Sequence, residues 1–253
     1  MRVMNIAVAG AVALAAATGL AAAKDWKTVR IGIEAAYPPF NGYNANNEIV
    51  GFDYDIANAL CAKMNVECTF VAQDWDGIIP ALLAGKYDAI VSSMSITDER
   101  KEVVDFTDKY YTNSLTFVAP KDSGIADVSP AGLAGKVLGA QSSTVSAQYL
   151  EENYGDAEIK LYPTQDDAYL DLASGRVDAV LADVGPSNLW LAGDDGQCCA
   201  FVGEAVVKDD LIGIAIRKED SDLKAMFNKA ISDIVADGTY ATINEKYFPF
   251  SIY

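Results

Sequence analysis

Ser92-Ser-Met-Ser-Ile-Thr-Asp-Glu-Arg100 places small hydroxyls and one arginine directly after Asp88-Ala-Ile-Val91. The preceding run is short and apolar and reads as a buried strand. Open α/β sheets bind ligands just past the carboxyl ends of such strands. A planar guanidinium beside hydroxyl and backbone donors suits a carboxylate. Upstream, Phe52, Ile56, Leu60 and Met64 recur at the spacing of one helix face, so Gly51-Phe-Asp-Tyr-Asp55 opens an amphipathic helix. Asp53 and Asp55 fall in its first turn, where the dipole favours acids, and both read as capping residues. Asp76 begins a second helix, with Pro80 in its first turn and Gly85 as its stop.

The pattern then repeats. Leu83-Ala-Gly-Lys-Tyr-Asp-Ala-Ile-Val91 is echoed by Ala173-Ser-Gly-Arg-Val-Asp-Ala-Val-Leu181. Val29-Arg-Ile-Gly-Ile33 is echoed, in the same order, by Lys136-Val-Leu-Gly-Ala140. Two copies of one unit imply two similar lobes, since a solenoid needs at least three repeats. The position matching Ser93 in the second copy is Asp183, also past the end of its strand. If the lobes face each other, hydroxyls and Arg100 oppose a carboxylate, and a zwitterion fits between them. Gln141-Ser-Ser-Thr144 precedes a helical run, Val145 to Tyr154. Free backbone N–H groups and hydroxyls at a helix start bind anions, and the same residues are ordinary N-caps.

Composition narrows the chemistry. The chain of 253 residues has no histidine, which removes Ser-His-Asp and Cys-His nucleophiles, a histidine base and most zinc sites. No metal and no cofactor is expected. A net charge of −17 argues against nucleic acid and against an anionic membrane surface. The N-terminus carries Arg2, then an Ala-, Val- and Leu-rich run, then Ala21-Ala-Ala23, which reads as residues 1–23 of a signal peptide cleaved after about Ala23. Export to the periplasm permits disulfides. Cys61 and Cys68 flank the turn after the first helix and are expected to be bridged. Cys198 and Cys199 are adjacent, and free, vicinally bonded or reactive states all stay open.

Tyr37-Pro-Pro-Phe40 reads as a rigid loop after the first strand, and Asn41 to Glu48 as a surface turn. Ser221 to Ile234 reads as a helix, followed by a shorter one ending at Lys246-Tyr-Phe248, whose aromatics pack. Taken together, GFDYDIANAL, DGIIPALLAGKYDAI, SITDER and DGTYATINEKYF resemble the bacterial extracellular solute-binding proteins, family 3, which bind polar amino acids. The chain looks most like the branch that binds lysine, arginine, ornithine and histidine, along with opine binders. The likeness covers the whole mature chain. Departures are Tyr54 between the two acids, a shorter segment around Lys208 to Gly213, the Cys198–Cys199 pair, and Val145 where relatives often carry Gln.

The resemblance implies an α/β type II periplasmic-binding-protein fold, two lobes joined by a two-strand hinge that closes on ligand. Lobe 1 would be residues 24–113 plus 211–253, and lobe 2 residues 114–210. It implies that Arg100 clamps an α-carboxylate with Ser95, Ser143 and Thr144, and that Ser93 and Asp183 hold the α-ammonium. Tyr37 and Trp75 would sandwich the side chain, which suits a cation. Glu34 and Ser92 would receive its distal amine. The implied partners are an amino acid and the membrane permease of an ABC importer, with no nucleic acid, and the chain would act as a monomer. Rival readings are a binder of glutamine, another polar amino acid or an opine; a cyclohexadienyl dehydratase-like enzyme with Glu34 as general acid; and a sensory ectodomain, which would need a membrane helix and a signalling domain.

Overall fold

The computed structural model describes residues 24–253; the signal-peptide expectation for residues 1–23 lies outside the described residues. Thr28–Ile33 forms β1, with Val29, Ile31 and Ile33 fully buried. The Asn-rich stretch is not a plain surface turn. It is a hairpin of β2 (Gly42–Tyr43) and β3 (Ile49–Val50), and Asn41 at its base is fully buried. Helix α1 (Phe52–Met64) follows Gly51, whose φ of 127° lies where only glycine is comfortable. A Cβ there would also strike the Phe40 carbonyl. That explains the glycine ahead of Phe52-Asp53.

β4 (Glu67–Ala72) pairs in parallel with β1. A single tight turn, Trp75–Gly77, leads into α2 (Ile78–Leu83), and β5 (Ala89–Ile90) returns to the other side of β1. The short α3 (Asp98–Lys101) is capped by Thr97, whose hydroxyl accepts from the Arg100 N–H at 3.1 Å. β6 (Asp105–Pro120) then runs out of this half. The second half repeats the order as β7 (Val137–Gln141), α4 (Val145–Asn153), β8 (Glu158–Tyr162), α5 (Gln165–Ala173), β9 (Ala179–Asp183) and α6 (Val184–Ala192). β10 (Cys199–Ile216) runs back, and α7 (Ser221–Ala236) and α8 (Thr239–Tyr247) close the chain.

The strand order is β4-β1-β5-β10-β6-β9-β7-β8. Each half has three parallel strands with its opening strand in the middle. The two echoed sequence segments fall on α2–β5 and α5–β9, so the repeat seen in sequence is a repeat of structure. Side chains alternate across each sheet with the period of a strand. Leu115, Phe117 and Ala119 of β6 face one apolar cluster while Val118 faces another. In the first half, Ile31, Phe52, Ile56, Phe227 and Ile231 share one cluster, which places the C-terminal helices on the first lobe.

β6 and β10 are antiparallel to each other and to their outer neighbours, and they join the lobes. Their register slips where they cross. Between Phe117 and Leu115 of β6, β10 advances from Val202 to Val207, so the intervening residues bulge out. Bulges bend and twist a strand locally, which is what a two-strand hinge requires.

Cys61 at the end of α1 and Cys68 in β4 are joined, and Cys198 is paired with Cys199, so no described cysteine is free. The Cys61–Cys68 loop is short, and closing a loop of that size in the unfolded chain is worth about 2–3 kcal/mol. A Cys61→Ser, Cys68→Ser double variant should lose about that much unfolding free energy in denaturant relative to the oxidised protein. An unchanged unfolding free energy would show that this bond contributes nothing to stability.

Candidate ligand-binding site

A small cavity of about 30 Å³ lies between the lobes. Its floor on the first lobe comes from three loops at strand ends. The loop after β1 brings Glu34 and Tyr37, the turn after β4 brings Trp75, and the segment after β5 brings Ser92, Ser93, Ser95 and Arg100. From the second lobe come Thr144 and Asp183, together with Gln141, Val145, Ser146 and Gln165. Ser143 does not line the cavity; its hydroxyl donates to Asp76 at 2.7 Å. Its backbone carbonyl still matters, because it accepts from Trp75 Nε1 at 3.1 Å and Arg100 Nη2 at 3.0 Å.

The first-lobe loops are tied together from beneath. Asp53 is fully buried and points into the core; it is not the exposed helix-dipole acid its position suggests. Its carboxylate accepts from Asn41 Nδ2 at 2.8 Å, Ser93 Oγ at 2.9 Å and the Tyr110 hydroxyl at 2.7 Å. Asn41 in turn accepts from the Ala35 N–H at 2.8 Å, and the Tyr110 hydroxyl accepts from the Ser93 N–H at 3.1 Å. Ala35 and Ser93 both have left-handed backbones, φ 60° and 52°, conformations that need such outside support. Because Ser93 donates its proton to Asp53, its remaining oxygen capacity is acceptor capacity. Asp55 likewise has partners, accepting from the Tyr247 hydroxyl at 3.0 Å and Lys246 Nζ at 3.1 Å.

Other hydroxyls are also engaged. Ser92 Oγ accepts from the Glu34 N–H at 2.9 Å. Ser95 Oγ donates to Asp210 at 2.8 Å, a carboxylate of the hinge strand β10. Thr144 Oγ1 donates to the Gln141 carbonyl at 2.7 Å and caps α4 by accepting from the Ala147 N–H at 3.1 Å. It is a structural cap, and what it turns toward the cavity is helix-start backbone. Arg100 Nη1 donates to the Ser95 carbonyl at 2.9 Å and its guanidinium lies 5.5 Å from the Trp75 ring centre. Two carbonyls therefore fix this guanidinium while leaving other donors of its fork unspent.

The lobes touch across the cavity, so the cleft is closed. Gln141 Nε2 donates to Glu34 Oε1 at 2.6 Å. Ser142 Oγ joins Ser143 in donating to Asp76, at 2.9 Å. At the start of α6, Gly185 lets the Phe40 ring approach; a Cβ there would come within 2.8 Å of it.

Electrostatically the cavity is acid-rich. Burial pushes Glu34 up to about 7, opposed by the Gln141 hydrogen bond and reinforced by Asp166, Asp74 and Asp76. Burial also pushes Asp183 up to about 7, with Asp210 adding to the rise and hydrogen bonds from Tyr37 and Asn113 opposing it. Burial raises Asp210 as well. The one cavity cation, Arg100, is itself lowered by burial. One guanidinium and two separate carboxyls on the cavity wall match a molecule that carries one carboxylate and two positive groups.

The sequence profile of the bacterial extracellular solute-binding proteins, family 3, matches residues 29–250. The chain belongs to that family. An L-arginine-binding protein of Pseudomonas aeruginosa is 44% identical over 98% of both chains. A lysine/arginine/ornithine-binding periplasmic protein of Escherichia coli is 41% identical over 90% of both. Among solved structures, an ancestral arginine-binding protein bound to glutamine superposes with a TM-score of 0.83 at 37% identity, covering 88% of this chain and 99% of its own. These relatives are binding proteins, and the type II fold of two α/β lobes is common to them and to this chain.

The two raised carboxyls predict a pH signature. An unfolded carboxyl ionises near 4. Between about pH 4 and the folded value of about 7 for Glu34 and Asp183, the native state holds protons that the unfolded chain has lost. Their contribution is present in full below about pH 4 and is lost as pH rises toward 7, so ligand-free stability falls across that window. Melting curves between pH 4 and 8 should show a smaller loss for Glu34→Gln, Asp183→Asn than for the native protein. Parallel curves would mean that neither carboxyl is raised.

Proposed function

We propose that this protein is the periplasmic substrate-binding component of an ABC importer for cationic amino acids, arginine, lysine, ornithine or histidine, capturing its ligand by hinge closure. The observation that carries this reading is the charge pattern of the closed cleft: Arg100 at one place, with buried Glu34 and half-buried Asp183 as separate carboxylates. Relatives named for arginine and for lysine, arginine and ornithine support it.

Arg100 takes the ligand α-carboxylate, helped by backbone N–H groups at the Thr144 end of α4 and at Ser95, whose hydroxyl proton is committed to Asp210. Asp183 takes the α-ammonium, and Ser93 accepts from the same group because its own proton goes to Asp53. Tyr37 and Trp75 line the path of the side chain. Glu34, with Ser92, receives the distal cation. Ser143 contributes through its carbonyl, which holds Arg100 and Trp75. In this reading the moving units are residues 24–113 with 211–253 against 114–210, the chain works as a monomer, a membrane permease receives the ligand, and no nucleic acid, metal or reaction is involved. Export from the cytoplasm, with cleavage after about Ala23, belongs to the same reading.

Arg100→Ala should cost about 2–5 kcal/mol of affinity for every amino-acid ligand, because the partner carboxylate would then sit buried and unpaired. Calorimetry giving near-native affinity in a folded Arg100→Ala protein would remove the clamp assignment.

Binding of glutamine is the second reading, favoured by the ancestral relative found with glutamine. Glu34→Gln separates the two. It should weaken arginine, lysine and ornithine by about tenfold or more while leaving glutamine equal or tighter. A native protein that binds glutamine tightly and ignores all four cationic amino acids would reverse the order of the two readings.

A further inference from the structure

We infer that Gln165 is a specificity-determining residue that reads the far end of the ligand side chain and favours a guanidinium. The inference deepens the cationic-amino-acid reading and rests on it. Gln165 is the first residue of α5, held there by its N-cap Thr164, whose hydroxyl accepts from the Asp167 N–H at 3.2 Å. It is only 4% exposed and lines the cleft cavity. Its Nε2 is buried and has no hydrogen-bond partner. Buried polar atoms without partners are rare in folded proteins, and here the orphan sits on the wall of a binding cavity.

The surroundings identify the far end. Gln141 Nε2 donates both to Glu34 Oε1 at 2.6 Å and to the Pro163 carbonyl at 3.2 Å, so one side chain ties Glu34 to the segment that carries Gln165. Asp166, next in the chain, adds its negative potential at Glu34. Glu34 thus meets a ligand with one oxygen already engaged. A guanidinium is a planar fork of five donors, and a single half-engaged carboxylate cannot satisfy it. The unpartnered atom as placed is the amide nitrogen, a donor, and a half-turn of the last torsion puts the amide oxygen, an acceptor, in its position. With its oxygen inward it accepts from the face of the fork that Glu34 does not reach. A terminal ammonium on a shorter chain has three donors, which Glu34 and Ser92 near the start of the pocket can serve without Gln165.

Gln165 is also a wall. Behind it lies a second hollow bounded by Ala36, Pro38, Tyr169 and Trp190. Gln165 and Tyr37 border both that hollow and the main cavity, so these two side chains stand where the cleft ends.

The test is calorimetric titration of L-arginine and L-ornithine into the native protein, Gln165→Met and Gln165→Asn. Methionine keeps the length and removes the polar atoms; asparagine keeps the amide and withdraws it. Each variant should lose about tenfold in arginine affinity and less than about threefold in ornithine affinity. Should Gln165→Met fail to fold, Gln165→Asn carries the comparison, and ornithine binding reports on its fold. Equal losses for both ligands, or none for arginine, would overturn the inference while leaving the cationic reading in place. A native protein that binds neither ligand overturns that reading before any variant is titrated, and the inference falls with it.

Discussion

Asp53 is a carboxylate with no exposure, and the binding geometry of the first lobe converges on it. Burying such a group without partners is costly, and three donors offset the loss: an amide, a hydroxyl and a phenol. Burial still raises its pKa, so the hydrogen bonds oppose that rise without cancelling it. Each donor belongs to a different part of the site. Asn41 holds the loop that presents Glu34 and Tyr37, Ser93 holds the loop that leads to Arg100, and Tyr110 anchors both to the crossing strand β6. The first turn of α1 packs against these loops and supplies the carboxylate. That is why Gly51-Phe-Asp opens α1: the glycine turns the chain, Phe52 fills the core, and Asp53 organises the loops above it.

The second lobe completes what the first presents. Closure joins Gln141 to Glu34, Ser142 and Ser143 to Asp76, and the Ser143 carbonyl to Trp75 and Arg100. Ser143 reaches these partners with a left-handed backbone of φ 57°, which directs its carbonyl and hydroxyl toward the first lobe. In this closed cleft burial raises both Glu34 and Asp183 toward 7. A ligand that brings positive charge to those carboxylates favours the closed form over the open one, and differential interaction of that kind is what drives a conformational equilibrium.

Much of this architecture was legible in sequence because it is written twice. The echo between Leu83–Val91 and Ala173–Leu181 identified two strand ends, and with them Ser92, Ser93 and Asp183. The residues that escaped did so for physical reasons. Asp53 carries the signature of a helix-dipole acid whether it faces solvent or core, since position in the first turn says nothing of direction. Asn41 sits in an Asn-rich stretch that resembles any surface turn, yet it is the residue that meets Asp53. Gln165 opens a helix in Thr-Gln-Asp-Asp, which reads as a capped, solvated start. Asp210 lies within a long strand, and only the three-dimensional crossing brings it to Ser95. Ser143 and Thr144 show the converse limit: a Ser-Thr helix start is legible, but which hydroxyl caps and which turns away is decided by packing.

Glu34 also bears on whether a cationic or a neutral ligand suits the site. Held near 7, its carboxyl stands close to the balance between its two protonation states at neutral pH. Protonated, it can donate to the carbonyl of a neutral amide side chain; ionised, it accepts from an ammonium or guanidinium. A neutral ligand leaves it in the form that burial favours. A cation must draw it into the ionised form, and the attraction between the two charges in a dry cleft supplies that work. Selectivity for a cation therefore depends on how completely closure excludes water and on how well the neighbours of Glu34 complete the cation's hydrogen bonds. The former is set by the Asp76 and Ser143 contacts at the rim. The latter falls to Gln141, Ser92 and Gln165 inside it.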